Sequence, residues 1–287
     1  MQLVEAGIID LDEPIVSYLP LFYINPHPIE GGNFQNITTR MILNHTSGLP
    51  RDISENFDFG EVTFDGHCDH IVNNFLNYLS DLTMIAEEGS TASYSNVGYV
   101  VLGLLIATVS GSENLFYGFI EHMDENIFSP LDLNRSSYII TDELISYLAL
   151  PYNRRQQSEI GFLNISATGS MISTGNEMAI LMHTILNDLN GSEVLLGENY
   201  INQMMSFDDL MPFGSMYGLG FIQEINNDGH VIVGHTGSVG YYNSAMLFNL
   251  ESRFGVFVAG NNTANDSHLT ILANQILNRM ICEIVDR

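Results

Sequence analysis

Tyr94-Ser95-Asn96 places a phenol and a carboxamide two positions apart in a small, polar stretch. A tyrosine hydroxyl passes protons once its surroundings lower its pKa, and an asparagine amide donates to a carbonyl oxygen. Acyl transfer needs both kinds of group beside its nucleophile. A simpler task also suits these residues, since Ser95 or Asn96 can cap the helix that follows. A second group is Gly234-His235-Thr236-Gly237-Ser238, expected at the end of a strand. Small residues let a substrate backbone lie against a strand edge. The Thr236 hydroxyl can bind a carboxylate, and a backbone N–H near Ser238 can stabilise an oxyanion. A glycine-rich passage from strand to turn would have the same composition.

Two further groups carry less chemistry. His45-Thr46-Ser47-Gly48-Leu49-Pro50 reads as a helix stop that braces the loops of the site. His67-Cys68-Asp69-His70 holds metal-ligating types, and His67 and His70 could share a helix face. No second ligand cluster stands at suitable spacing, so neither a metal nor another cofactor is expected. The nucleophile elbow Gly-x-Ser-x-Gly is absent. All eight basic residues are arginines. No serine therefore precedes a lysine by three positions, and no side-chain amine is present to act as a base or form a Schiff base.

The elements that must hold these groups are mostly helical at first. Met1 to Ala6 is an amphipathic turn closed by Gly7. Asp12 is a plausible cap for a short helix that has Pro14 in its first turn and ends at Pro20. Thr38 caps a helix through Leu43. Apolar Ile71, Phe75, Leu76 and Leu79 predict a helix from His70 to Leu82, and helices follow over 96–109 and 112–126. Pro130 is expected to stop the last of these, with 131–165 irregular. Thr174 and Glu177 form a capping box for a helix to about Leu189, and a shorter helix covers Glu198 to Met205. The period then changes. Residues 217–225, 230–234, 242–250 and 254–260 read as strands, and Asp266 to Ile284 as a closing helix. The chain thus divides into a helical lobe over 1–205, carrying Tyr94 and Asn96, and an antiparallel sheet with its helix over 206–287, carrying His235.

Composition narrows the partners. The chain of 287 residues holds 34 acidic against 8 basic side chains, a net charge of -26. Such a field repels phosphate backbones and anionic lipid heads, so nucleic acid is not an expected partner. The longest apolar run, Val97 to Val109, falls short of the roughly 18 residues of a membrane span and reads as a buried helix. Cys68 and Cys282 allow one disulfide at most and do not decide the compartment.

Taken in order, these motifs resemble the class C β-lactamase, DD-peptidase and esterase family of penicillin-recognising serine hydrolases. The opening Met1 to Pro14 is similar to the stretch that follows that family's nucleophile helix. His45 to Pro50 matches a hallmark, and Tyr94-Ser95-Asn96 matches the Tyr-x-Asn motif. Ile127 to Leu131 and Ala167 to Thr174 resemble later segments, and His235-Thr236-Gly237 stands where the family has Lys-Thr-Gly or His-Thr-Gly. The resemblance implies an α+β fold of β-lactamase/transpeptidase type and acyl transfer on an amide or ester. It implies Tyr94 as the proton-shuttling base, Asn96 on the substrate amide, His235 as an electrostatic group, and Thr236, Gly237 and Ser238 on the substrate. It also implies a Ser-x-x-Lys and two sheet strands ahead of Met1, which reading the coding DNA upstream would check. On this expectation the 287 residues alone are inactive, and the strand near 254–260 is an open apolar edge available for self-association. The alternative is a pseudoenzyme that binds a ligand or protein on the same fold. The family mostly works outside the cytoplasm, which favours that location by resemblance only.

Overall fold

The computed structural model describes residues 1–54, 69–112, 115–158, 166–207, 209–210, 216–262 and 266–285. These form helices and antiparallel strands, an α+β fold as the pattern implied. They group into two compact units. Unit 1 is Met1–Ile127 with Asn164–Thr168 and Asp208–Phe213, and unit 2 is Phe128–Leu163, Gly169–Phe207 and Gly214–Arg287. The chain passes between units several times, so the units are not the contiguous stretches 1–205 and 206–287.

Unit 1 is built around one helix. Its elements are α1 (Gln2–Glu5), α2 (Thr39–Leu43), α3 (Asp69–Asp81), α4 (Asn96–Val109) and α5 (Leu115–Met123). Helix α4 carries no charge and is apolar all round, which suits a helix enclosed by others. Val97, Val101 and Leu105 are buried in a cluster with Ile15, Ile24, Ile42, Phe75 and Leu79. Each such aliphatic side chain contributes about 2 kcal/mol on leaving water. Close approach requires small residues. A Cβ on Gly98 would stand 2.9 Å from Ile42, and one on Gly118 of α5 would stand 2.8 Å from Ala107.

Two expectations change here, and a third lies outside the described residues. Asp12 is not a helix cap. It forms a bidentate ion pair with Arg40 (2.7 and 2.8 Å), and Pro14 leads instead into the 3-10 turn Ile15–Ser17. Pro130 does not stop the helix after α5. The chain continues through a π turn, Asp124–Phe128, and a 3-10 turn, Ser129–Leu131, before Asp132 turns left-handed (φ 54°). Proline is tolerated there because the first N–H groups of a helical turn need no partner inside it. His67 and Cys68 lie outside the described residues, as do the side chains of Asp69 and His70.

Unit 2 holds α6 (Asp142–Ile145), the small hairpin β1 (Tyr152–Asn153) and β2 (Gln156–Gln157), α8 (Gly175–Asp188), α9 (Glu198–Met204) and α10 (Asp266–Val285). The four-residue α7 (Ser166–Gly169) starts in unit 1, as does the two-residue strand β3 (Asp209–Leu210). Strands β4 (Met216–Tyr217), β5 (Ile222–Ile225), β6 (Val231–Val239), β7 (Tyr242–Asn249) and β8 (Phe254–Gly260) run antiparallel in sequence order. Consecutive residues of β6 and β7 serve opposite faces. Ile232, Leu247 and Val256 meet Ala273, Leu277 and Ile281 of α10. Val233 and Phe248 meet Met182, Met205 and Phe221 on the other side. Because both faces are covered, these strands read as nearly continuous apolar runs rather than alternating ones. Helices α8 and α9 therefore belong with the sheet.

The capping box is half formed. Thr174 Oγ1 accepts from Glu177 N–H at 3.2 Å. The Glu177 carboxylate, instead of reaching back, accepts from Arg135 N–H (2.8 Å) and Ser136 Oγ (2.6 Å), tying α8 to the preceding loop. The expected strand 217–225 splits at Gly218 to Gly220, where a tight turn (Gly220 φ 97°) makes β4 and β5 a hairpin. Strand β8 pairs with β7 and, among the described residues, with no second strand. Cys282 is an exposed thiol on α10, while Cys68 is outside the described residues. Among the described residues no helix is long and apolar enough to cross a membrane.

Candidate active site

Tyr94 and Asn96 sit at the head of α4, on a turn with several ties. Ser95 is the N-cap. Its Oγ accepts from Gly98 N–H (2.9 Å) and donates to the Pro50 carbonyl (2.6 Å). The capping reading of Ser95 therefore holds alongside a chemical one for its neighbours. The chain on either side of Tyr94 is bound to His45. Ser93 N–H donates to the His45 carbonyl (2.8 Å) and Ser95 N–H donates to His45 Nδ1 (3.0 Å). The expected brace, 45–50, thus acts through hydrogen bonds. His45 is itself left-handed (φ 62°) and buried. Asn96 N–H donates to the Arg51 carbonyl at 2.7 Å.

Two charges flank this turn. Arg51 lies 5.4 Å from the centre of the Tyr94 ring, and the Asn96 amide donates to Asp52 Oδ1 at 2.6 Å. Arg51 and Asp52 are 3.2 Å apart and largely exposed, so their mutual attraction is weak. Burial pushes the Tyr94 phenol above its ordinary pKa. Arg51 opposes that shift and Asp52 adds to it. Sequence reasoning did not single out Arg51 or Asp52, although both follow directly on Pro50.

In unit 2 the strand does not end before His235. Strand β6 runs on to Val239, with His235 opposite Met246, Thr236 opposite Ala245, Gly237 opposite Ser244 and Ser238 opposite Asn243. The glycines serve the ladder rather than a turn. A Cβ on Gly237 would come within 2.8 Å of Ser244 Oγ, and one on Gly234 would run into the Met246 carbonyl. The turn comes later, at Gly240 (φ 57°) and Tyr241, closed by the pair Val239–Tyr242.

This register decides where the backbone groups point. A two-residue hairpin closes with a hydrogen-bonded pair, and the ladder then alternates. Thr236 and Ser238 are therefore non-hydrogen-bonded positions toward β7, and their N–H groups face the β5 side. The pairing of β5 ends with Ile222 opposite Gly234. Past Gly234, that edge of β6 extends beyond β5. The Thr236 carbonyl on it is 2.6 Å from His235 Nδ1, and His235 Nε2 is 3.0 Å from the Tyr217 hydroxyl. A carbonyl only accepts, so Nδ1 carries the proton, and in the neutral ring Nε2 accepts from Tyr217. Burial holds the His235 pKa below the ordinary value, with the Thr236 carbonyl opposing the shift. Ser238 Oγ donates to Asn243 Oδ1 (2.8 Å), and the Asn243 amide donates to the Asn262 carbonyl (2.8 Å). Tyr217 is a partner that the pattern of a strand residue did not reveal.

Each unit thus brings its own residues together: Tyr94 with Asn96 and His45 in unit 1, and His235 with Thr236, Ser238 and Tyr217 in unit 2. No group of three metal-ligating side chains occurs among the described residues.

Known proteins resemble the chain over most of its length. It is 23% identical over 273 residues to Protein flp of Staphylococcus aureus (strain N315), covering 91% of this chain and 49% of that protein. It is 28% identical over 234 residues to Beta-lactamase-like protein 2 of Dictyostelium discoideum, covering 77% of this chain and 39% of that one. The chain thus spans about half the length, or less, of these curated relatives. Among solved structures, the octameric penicillin-binding protein homologue from Pyrococcus abyssi has a TM-score of 0.75 at 24% identity, covering 96% of this chain and 62% of that one. The beta-lactamase/D-alanine carboxypeptidase from Yersinia pestis has a TM-score of 0.75 at 20% identity, covering 99% and 79%. These likenesses show the fold. The Beta-lactamase family model matches residues 1–278, and the chain belongs to the beta-lactamase family.

Proposed function

We propose that these residues supply the proton-transfer and substrate-binding parts of a serine hydrolase acting on amides or esters, of the DD-peptidase, esterase or β-lactamase type. The observation that carries this reading is the turn at the head of α4. There a half-buried phenol and a carboxamide are held two positions apart by the Ser95 cap and by His45. Tyr94 rests protonated at neutral pH and relays a proton between nucleophile and leaving group, with Arg51 beside it to favour the transient phenolate. Asn96 donates to the carbonyl of the acyl group once Asp52 gives way. Thr236 and Ser238 offer N–H groups along the extended edge of β6 to a substrate backbone. The Ser238 N–H serves as one donor to the oxyanion. Gly237 keeps that strand close to its neighbour, and neutral His235 holds the edge in place through the Thr236 carbonyl.

The test is ligand binding to the 287-residue chain. A D-alanyl-D-alanine peptide, a short aryl ester and a penicillin are titrated separately, with amide shifts followed at 93–98 and 235–239. At least one should shift the amides of 93–98, with Tyr94→Phe or Asn96→Ala weakening it by about tenfold, and binding along the β6 edge should by itself shift 235–239. Shifts confined to other residues would sink the reading. Binding without turnover is the second reading. It draws support from the absence of lysine, because these residues contain no Ser-x-x-Lys pair. Stoichiometric covalent labelling of the chain by a fluorescent penicillin would exclude it.

A further inference from the structure

His45 holds both sides of Tyr94. Its carbonyl takes the amide before the tyrosine and its Nδ1 takes the amide after it. Its ring lies 4.4 Å from the Tyr94 ring and 5.1 Å from the Tyr99 ring, tilted 40° and 32°. Tyr99 is anchored in turn, its hydroxyl donating to the Leu43 carbonyl at 2.9 Å. The left-handed backbone at His45 aims carbonyl and imidazole at one short segment, and such a conformation is uncommon outside glycine, asparagine, aspartate and histidine.

The chemistry of the contact fixes a protonation state. A backbone N–H cannot accept, so the Nδ1 that receives Ser95 N–H is bare, and the neutral ring carries its proton on Nε2. An imidazolium would have no lone pair for Ser95. The ionisable groups facing this ring are Tyr94 and Tyr99, with Arg51 and Asp52 beyond Tyr94.

We propose that His45 is the positioning residue of the Tyr94 proton relay: its carbonyl holds the amide before Tyr94, its neutral Nε2–H imidazole holds the amide after it, and that ring packs at a tilt against the phenol. This rests on the reading of Tyr94 given above. Placement matters to such a relay because misplacing a reacting group by about 1 Å can cost on the order of a hundredfold in rate.

The first measurement needs no mutation. In the wild-type 287-residue chain, imidazole nitrogen shifts should show a bare Nδ1 and a protonated Nε2 at neutral pH. The reverse tautomer would overturn the proposal. The second compares His45→Phe, which keeps a ring and loses the acceptor, with His45→Asn, which keeps an acceptor and tolerates φ > 0. Hydrogen exchange at the Ser95 amide should rise about tenfold in the first and stay within about threefold in the second. Ser93, bonded to a main-chain carbonyl, serves as the internal control. Tyr94 titration should shift, and ligand affinity fall, in His45→Phe and recover in His45→Asn. Unchanged exchange and titration in a folded His45→Phe would overturn the proposal. If Tyr94→Phe weakens ligand binding while His45→Phe does not, this inference falls and the functional reading stands. If Tyr94→Phe has no effect on binding, the functional reading falls first and takes this one with it.

Discussion

The Asn96 side-chain amide donates to the Asp52 carboxylate at 2.6 Å, so the donor assigned to a substrate carbonyl is already engaged by an acid. That acid also bears on Tyr94. Removing it as Asp52→Asn should lower the Tyr94 pKa, whereas Arg51→Gln should raise it further, because the two charges push in opposite directions. Carbon-13 titration of the tyrosine ring checks both signs. Equal shifts in the same direction would show that neither charge reaches the phenol.

His235 makes unit 2 sensitive to acid. Its folded pKa lies below the ordinary 6.5, so the unfolded chain takes up a proton first as pH falls. The histidine's contribution is complete above about 6.5 and is lost progressively below it, down to the depressed folded value, with a slope of at most about 1.4 kcal/mol per pH unit. Denaturant melts between pH 7.5 and 5 should therefore lose less stability in His235→Gln than in wild type.

Tyr217→Phe removes the hydroxyl that donates to His235 Nε2. That bond favours the neutral ring, so its loss should raise the His235 pKa and cost about 1 kcal/mol of stability. Proton shifts of the imidazole and a urea melt read the two effects separately.

Gly234→Ala should destabilise by about 1–3 kcal/mol, since the new methyl meets the Met246 carbonyl on the adjacent strand and backbone must move. Gly7→Ala, where the space is open, tests the separate cost of a left-handed backbone (φ 70°), about 1 kcal/mol. Urea midpoints decide between the two sizes.

Strand β8 contains no charge and no proline along Phe254–Gly260. Such an edge templates pairing with another chain. The 287-residue chain should self-associate with rising concentration, and Ala259→Lys, at an exposed edge position, should reduce it. Light scattering that finds a monodisperse monomer at all concentrations would refute this.

Much of this was legible in the residues. Thr38, Thr174 and Gly7 mark helix ends by side-chain and backbone chemistry that acts within one turn, and each does so in the structure. The apolar run of α4 and the strands β7 and β8 read correctly for the same local reason. What sequence did not reveal depends on partners far along the chain. Strand β6 runs through His235-Thr236-Gly237 because β7 supplies a ladder that outweighs two glycines. Glu177 left its capping role for Arg135 and Ser136, and Asp12 left its own for Arg40. Tyr94 and Asn96 stand out by type and spacing, and their place at the head of α4 follows from the helix expected over 96–109. The contacts of Asp52 with Asn96 and of Tyr217 with His235 are not legible, since each is made with a residue 18 or more positions away.

The layer between the sheet and α8–α9 is rich in thioethers. Met182 and Met205 are buried there, with Met204 and Met246 packed against them. Unbranched sulfur side chains fill such a layer without demanding one arrangement. They also give it a chemical weakness, since each sulfoxide would bring a polar oxygen into a dry seam. Peroxide should reach the buried pair faster whenever the helices lift from the strands. The pace at which these methionines gain oxygen is thus a clock for local opening, and each addition makes the next opening easier.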